Sequence, residues 1–204
     1  NRGSRLMALV IKGSSSGQIT LDVPAAAGTN TITLPASTFT VPTSGGTIVK
    51  IACDEITAES SGSGAFSNIG LEVSITPAST SNKILLLTTG SIAANTGAAF
   101  RFTQDGSAVG IADTPSSNTS RPRASFKTEV GNLNSSQNFV GSCILSPNST
   151  SSLTYRLQVE AHSAGTWYFN RSFNMSDSSD VSHAVTSAYF YAIELDGSNT
   201  TIST

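Results

Sequence analysis

Short apolar runs and alternating apolar–polar runs recur along the chain, broken by Gly, Pro, Asn and Ser clusters about every 8 to 12 residues. The chain is organised around residues 83–113, KILLLTTGSIAANTGAAFRFTQDGSAVGIAD. Three strand-like runs are read there: 83–89, 98–104 and 107–113. The last two are joined by Asp105-Gly106. A two-residue Asp-Gly link between β-rich runs predicts a hairpin, because a type I′ turn needs φ > 0 at both central residues. In 83–89 the residues Ile84, Leu85, Leu86 and Leu87 are consecutive rather than alternating. Such a run predicts a strand covered on both faces, inside a sandwich or at a subunit interface. Thr88, Thr89 and Gly90 end it too soon for a helix of ordinary length.

The remaining runs follow the same period. Residues 46–56 form a long strand candidate with Val49, Ile51, Cys53 and Glu55 on its more apolar face, which is expected to point inward. Residues 58–67 read as a Gly/Ser loop. Ile69, Leu71, Val73 and Ile75 line one face of 69–75. Residues 124–130, 138–145, 153–160, 166–173 and 184–195 complete the series, with Phe139, Gly141, Cys143 and Leu145 sharing a face. The polar loops lie at 115–123, 131–136 and 174–182. Roughly eight or nine strands after residue 46, without helical periodicity, predict an all-β protein: an antiparallel β-sandwich of jelly-roll type over residues 47–197. A polar tail follows at 198–204.

Residues 1–46 read differently. GQITLDV alternates, TITL repeats the pattern, and both are cut off by Pro24, Pro35, Pro42 and Ser44-Gly45-Gly46. The segment is too short for a core of its own, so it is expected to be an extended β arm with a hairpin, held by a partner. GQITLDVPAAAGTNTITLPASTFTVPTSGGTI resembles stretches of bacteriophage virion proteins, particularly tail-fibre-like and minor structural proteins. Over residues 66–196, the segments SITPASTSNKILLLTTGSIAANTG, FRFTQDGSAVGIAD, LTYRLQVEAHSAGTWYFN and SAYFYAIEL are similar to the strand order of a C1q/TNF-like jelly roll. That resemblance implies a homotrimer with an aromatic C-terminal strand near its axis. It carries over no functional residue.

Composition sharpens this picture. Charged residues are 12%, the formal net charge is -2, and Ser plus Thr make about 30%. Hydrophobic residues at 38% exclude a disordered chain. The 11 Lys and Arg are scattered, so no nucleic-acid surface is expected. No apolar run reaches 18 residues, and the stretch at 6–11 is too short for a signal-peptide core, so no membrane insertion is expected. Met7 is a candidate native start. Cys53 and Cys143 are expected to be free, buried thiols rather than a disulfide.

Chemistry is sparse. His162 and His183 are the only histidines, and Asp177 and Asp180 beside His183 match no cation-loop spacing. No CxxC or HExxH occurs, and G-x-S-x-G is met only within the Gly/Ser run at 13–17, so no enzyme, cofactor or metal is expected. Six Asn-x-Ser/Thr sequons (Asn118, Asn134, Asn148, Asn170, Asn174 and Asn199) are attributed to the Ser/Thr-rich composition. Tyr189 and Tyr191 share a face of the closing strand and, with Leu85 and Leu87, are the candidate subunit interface. Trp167, Tyr168, Asp177 and Asp180 are the candidate contacts to a glycan, although Trp167 and Phe169 are more simply read as core.

The expected function is therefore that of a non-enzymatic phage virion structural protein. It would be synthesised in the host cytoplasm and reside in the virion. It would be a fibre or decoration component of capsid or tail, assembling with itself and, through residues 1–46, with other virion proteins. The alternative is a receptor-binding module at the tail tip, recognising host surface glycans through exposed Trp167 or Tyr168. A glycan-degrading enzyme would need paired carboxylates in a groove.

Overall fold

A computed structural model describes residues 9–12, 18–21, 47–95, 97–114, 116, 120–129, 136–162, 165–173 and 184–202, the first two stretches by backbone alone. The expected strands at 31–34 and 39–41, and Asp177, Asp180 and His183, lie outside these residues. The chain divides into two compact units, Asn1–Val41 and Pro42–Thr204. In the first, β1 (Leu9–Lys12) pairs antiparallel with β2 (Gln18–Leu21), Leu9 opposite Leu21 and Lys12 opposite Gln18.

The second unit contains β3 (Ile48–Ile56), β4 (Ser60–Ser63), β5 (Ser67–Ile75), β6 (Lys83–Ala94), β7 (Ala98–Gln104), β8 (Ser107–Val109), β9 (Phe126–Thr128), β10 (Gln137–Leu145), β11 (Leu153–Ala161), β12 (Thr166–Phe169) and β13 (Ala188–Leu195). Their pairing is nested. β3 pairs with β13, β5 with β11, β6 with β10 and β7 with β9, all antiparallel. A chain that pairs its outermost strands first and its innermost last is one long hairpin rolled up, which is the jelly-roll path. Two further pairings, β13 with β6 and β11 with β7, close the roll into two sheets. The first sheet runs β3-β13-β6-β12-β4 with β10 on the other edge of β6. The second runs β5-β11-β7-β8 with β9 also on β7. The expected antiparallel sandwich is thus the fold observed.

The alternating residues meet between the sheets. Ile69, Leu71, Val73 and Ile75 of β5 and Leu153, Tyr155, Leu157 and Val159 of β11 are buried from one side. Ile84, Leu86, Phe139, Phe169, Phe190 and Ala192 are buried from the other. Phenylalanines join the layers: Phe100 stacks on Phe126 at 4.7 Å and meets Phe139 at 4.6 Å, and Phe102 stacks on Phe190 at 5.7 Å. Each such pair contributes about 0.5–1.5 kcal/mol beyond its area. Asp105 (φ 49°) and Gly106 (φ 87°) form the predicted turn between β7 and β8. Asp105 also accepts a hydrogen bond at Oδ1 from the Thr154 backbone N–H at 2.9 Å.

Four readings change. The 58–67 segment contains strand β4, paired with β12, although it has almost no apolar residues. Strand β8 ends at Val109, β9 spans only Phe126–Thr128, and β13 starts at Ala188. The faces of β3 are reversed: Ala52 packs on the core, while Ile51 and Cys53 are exposed. Ala52 pairs with buried Ala192 of β13, and that register turns the more apolar set outward. Both cysteines are free, but Cys53 is exposed rather than buried.

Candidate interaction face

The outward face of the first sheet is built by four strands in register. Ile144 lies opposite Leu85, Leu85 opposite Ile193, and Ile193 opposite Ile51. Residues paired across a ladder share a face, so these four form one aliphatic row across β10, β6, β13 and β3. The next row is Ser142, Leu87, Tyr191 and Cys53, and the one beyond it is Val140, Thr89, Tyr189 and Glu55. Tyr189, Tyr191, Leu85 and Leu87, four residues from two distant stretches of the chain, therefore meet on one surface.

This surface is half-open and almost uncharged. Ile51 is 56% exposed and Val140 69%, and Ile48 and Val49 extend the apolar margin along β3. Leu85, Leu87, Tyr191 and Ile193 are each half-buried, shielded by their neighbours alone. The tyrosine rings stack at 6.3 Å, and Tyr189 donates its hydroxyl to Glu55 at 2.8 Å. Glu55 and Lys83 sit at the edge, leaving the two central rows without a charge. Partial desolvation, then the neighbouring Cys53 thiol, hold the Tyr191 phenol above its ordinary value. With strands about 4.8 Å apart and residues about 3.3 Å along them, the three rows cover on the order of 400 Å². The two rows without a charge make up about two thirds of that footprint, and the largest apolar patch of a monomer is often functional, which makes this face the candidate for interaction.

Of the glycan candidates, Trp167 and Tyr168 are among the described residues, and Asp177 and Asp180 are not. Trp167 is only 2% exposed; its ring lies over Gly62, where an added Cβ would approach to 2.5 Å. Tyr168 is half-buried beneath the Arg171 guanidinium, 4.1 Å from its ring, with Phe173 against its edge. Neither ring offers an open platform for a sugar. Asn170 of the sequon at 170–172 is buried and donates Nδ2 to the Ile56 and Ala58 carbonyls, so it cannot carry a glycan while folded. Among the described residues, no group of three or more His, Cys, Asp or Glu is placed to hold a metal ion.

No family model matches the chain. No curated protein matches it either.

Proposed function

We propose that this protein is a non-enzymatic structural protein that works by self-association, its jelly roll assembling as a homotrimer through the outward face of the first sheet. The observation that carries this reading is the uncharged row of Ile144, Leu85, Ile193 and Ile51, backed by Leu87 and Tyr191. Tyrosines with aliphatic neighbours and charges confined to the rim are the composition of a protein–protein interface centre. The resemblance of residues 17–48 to phage virion proteins supports reading such a trimer as a fibre or decoration component of a virion, with the arm engaging other virion proteins.

Light scattering on the purified chain tests it. The expected mass is three times the 21.0 kDa of one chain, falling to one chain in Leu87→Asp and Tyr191→Asp. Both positions face outward, so circular dichroism of the variants is expected to match wild type. A monomeric wild-type chain overturns the reading, as does a trimer indifferent to both substitutions.

A further inference from the structure

The opposite side of the sandwich carries a different feature, a trough where β11, β7 and β9 run side by side. Glu160 of β11 lies opposite Ala99 of β7, and Ala99 opposite Lys127 of β9. The three share the outward face of the second sheet, and the central one is only a methyl. Two long polar side chains with roots about 10 Å apart therefore stand over a low floor. One step along, the floor is Gly97. His162 donates its backbone N–H to the Gly97 carbonyl at 3.0 Å, and the Glu129 carboxylate lies 3.5 Å from where a Gly97 side chain would begin. With Pro122 at the rim, the space measures about 350 Å³, within the range of small-molecule sites.

The polar groups are arranged for a particular chemistry. Lys127 Nζ holds the Glu129 carboxylate at 2.7 Å. That bond, with a further contribution from His162, keeps the Glu129 carboxyl below its usual range. Among the described residues no donor pairs with the Glu160 carboxylate across the trough. The walls thus offer two carboxylate acceptors and an ammonium donor. An anion would face two carboxylates. A simple cation would meet the Lys127 ammonium already seated against Glu129. Hydroxyl groups, each both donor and acceptor, match the alternation.

We propose that this trough binds a neutral sugar, with one pyranose ring over Ala99 and its hydroxyls shared between Glu160 and the Lys127–Glu129 pair. The site is separate from the apolar face and does not depend on how that face is used. Saturation-transfer difference NMR on the full chain tests it with methyl glucoside, methyl galactoside and N-acetylglucosamine, and with ethanolamine as the cationic control. The expected result is millimolar binding of at least one sugar. Ala99→Leu, which fills the floor, should abolish it, and Glu160→Gln should weaken it about tenfold, the effect of one hydrogen bond to a charged group. Both residues face outward, and matching thermal melts establish that the variants are folded. Signals with ethanolamine alone, with none of the probes, or unchanged by both substitutions overturn the proposal.

Discussion

The two outward faces of the sandwich are made by the same ladder geometry and carry opposite chemistry. On the second sheet the exposed side chains pair with one another. Arg156 donates to Glu72, Gln158 donates to Asn68 at 2.9 Å, Arg101 donates to Gln158 at 2.8 Å, and Ser74 and Thr154 share a hydrogen bond at 2.9 Å. Each pair joins neighbouring strands, so this part of the face satisfies itself, and the trough with Glu160 begins beyond it. On the first sheet the equivalent positions hold Ile51, Ile193, Leu85, Ile144 and Leu87, which find no polar partner in water and gain by being covered, with the Tyr191 ring beside them. The contrast shows that alternation along a strand reports two faces without saying which of them meets the core.

The most damaging way to break this contrast is to give the first face the second face's chemistry. Ile51→Lys with Ile193→Glu puts a charge pair into the β13–β3 end of the aliphatic row, where it would have to be desolvated on assembly. On the proposed assembly the expected outcome is loss of the trimer at micromolar concentration, read as a threefold fall in mass, with the monomer's melting temperature nearly unchanged. A trimer that survives the double substitution would move the interface elsewhere.

The two cysteines sharpen the comparison within a single sheet. Cys53 faces outward beside Tyr191, while Cys143 of β10 packs on the core side. A maleimide at neutral pH is expected to label Cys53 in the monomeric double variant and to label it at least tenfold more slowly in the assembled wild type. Cys143 is expected to stay unlabelled in both. Equal labelling of Cys53 in the two proteins would show that assembly leaves this face open.

Much of this architecture was legible because period-two runs with strong apolar sets have one workable inward face. Ile69–Ile75, the run from Leu153 to Val159, and Phe139 with Gly141 and Cys143 all point as their pattern says. Strand β3 misled because Val49, Ile51 and Cys53 outweigh Ala52 in apolarity, yet it is Ala52 that fits beside Ala192. Strand β4 carried no signal at all: SSGS becomes a strand because β12 pairs with it and Trp167 needs the space that Gly62 leaves. The consecutive leucines of β6 mark a strand with Ile84 and Leu86 in the core, whereas its other face, expected to be covered as well, leaves Leu85 and Leu87 half-buried. The trough was invisible in sequence, since Ala99, Lys127 and Glu160 meet only through long-range register.

Alkaline pH separates inward from outward groups by a smaller effect. Burial pushes the Cys143 thiol from about 9 to about 12, and burial also raises the Tyr155 phenol. Both groups are neutral in the folded and unfolded chain below about pH 9. Between pH 9 and 12 the unfolded thiol ionises while the folded one keeps its proton, so the folded state binds more protons and stability falls as pH rises. Thermal melts are expected to drop by a few °C or more across that window. Cys143→Ala is expected to flatten the slope, and an unchanged slope would place the alkaline transition elsewhere.

The smallest effect is expected where the second face is made to look like the first. Arg156→Met with Glu72→Leu replaces an ion pair whose side chains are 32% and 47% exposed. Pairs of that exposure contribute about 0.2–1 kcal/mol, and the new apolar atoms recover part of that against the stems around them. Stability by urea titration is expected to change by less than about 1 kcal/mol, and the mass not at all. The reason lies in the neighbouring rows: Ser74 with Thr154, and Asn68 with Gln158 and Arg101, remain polar on either side. Two apolar residues flanked in this way form no contiguous patch, whereas the first face joins whole rows across four strands. A new oligomer in this variant would show that two apolar side chains suffice for association, and the row of four on the first sheet would lose its special standing.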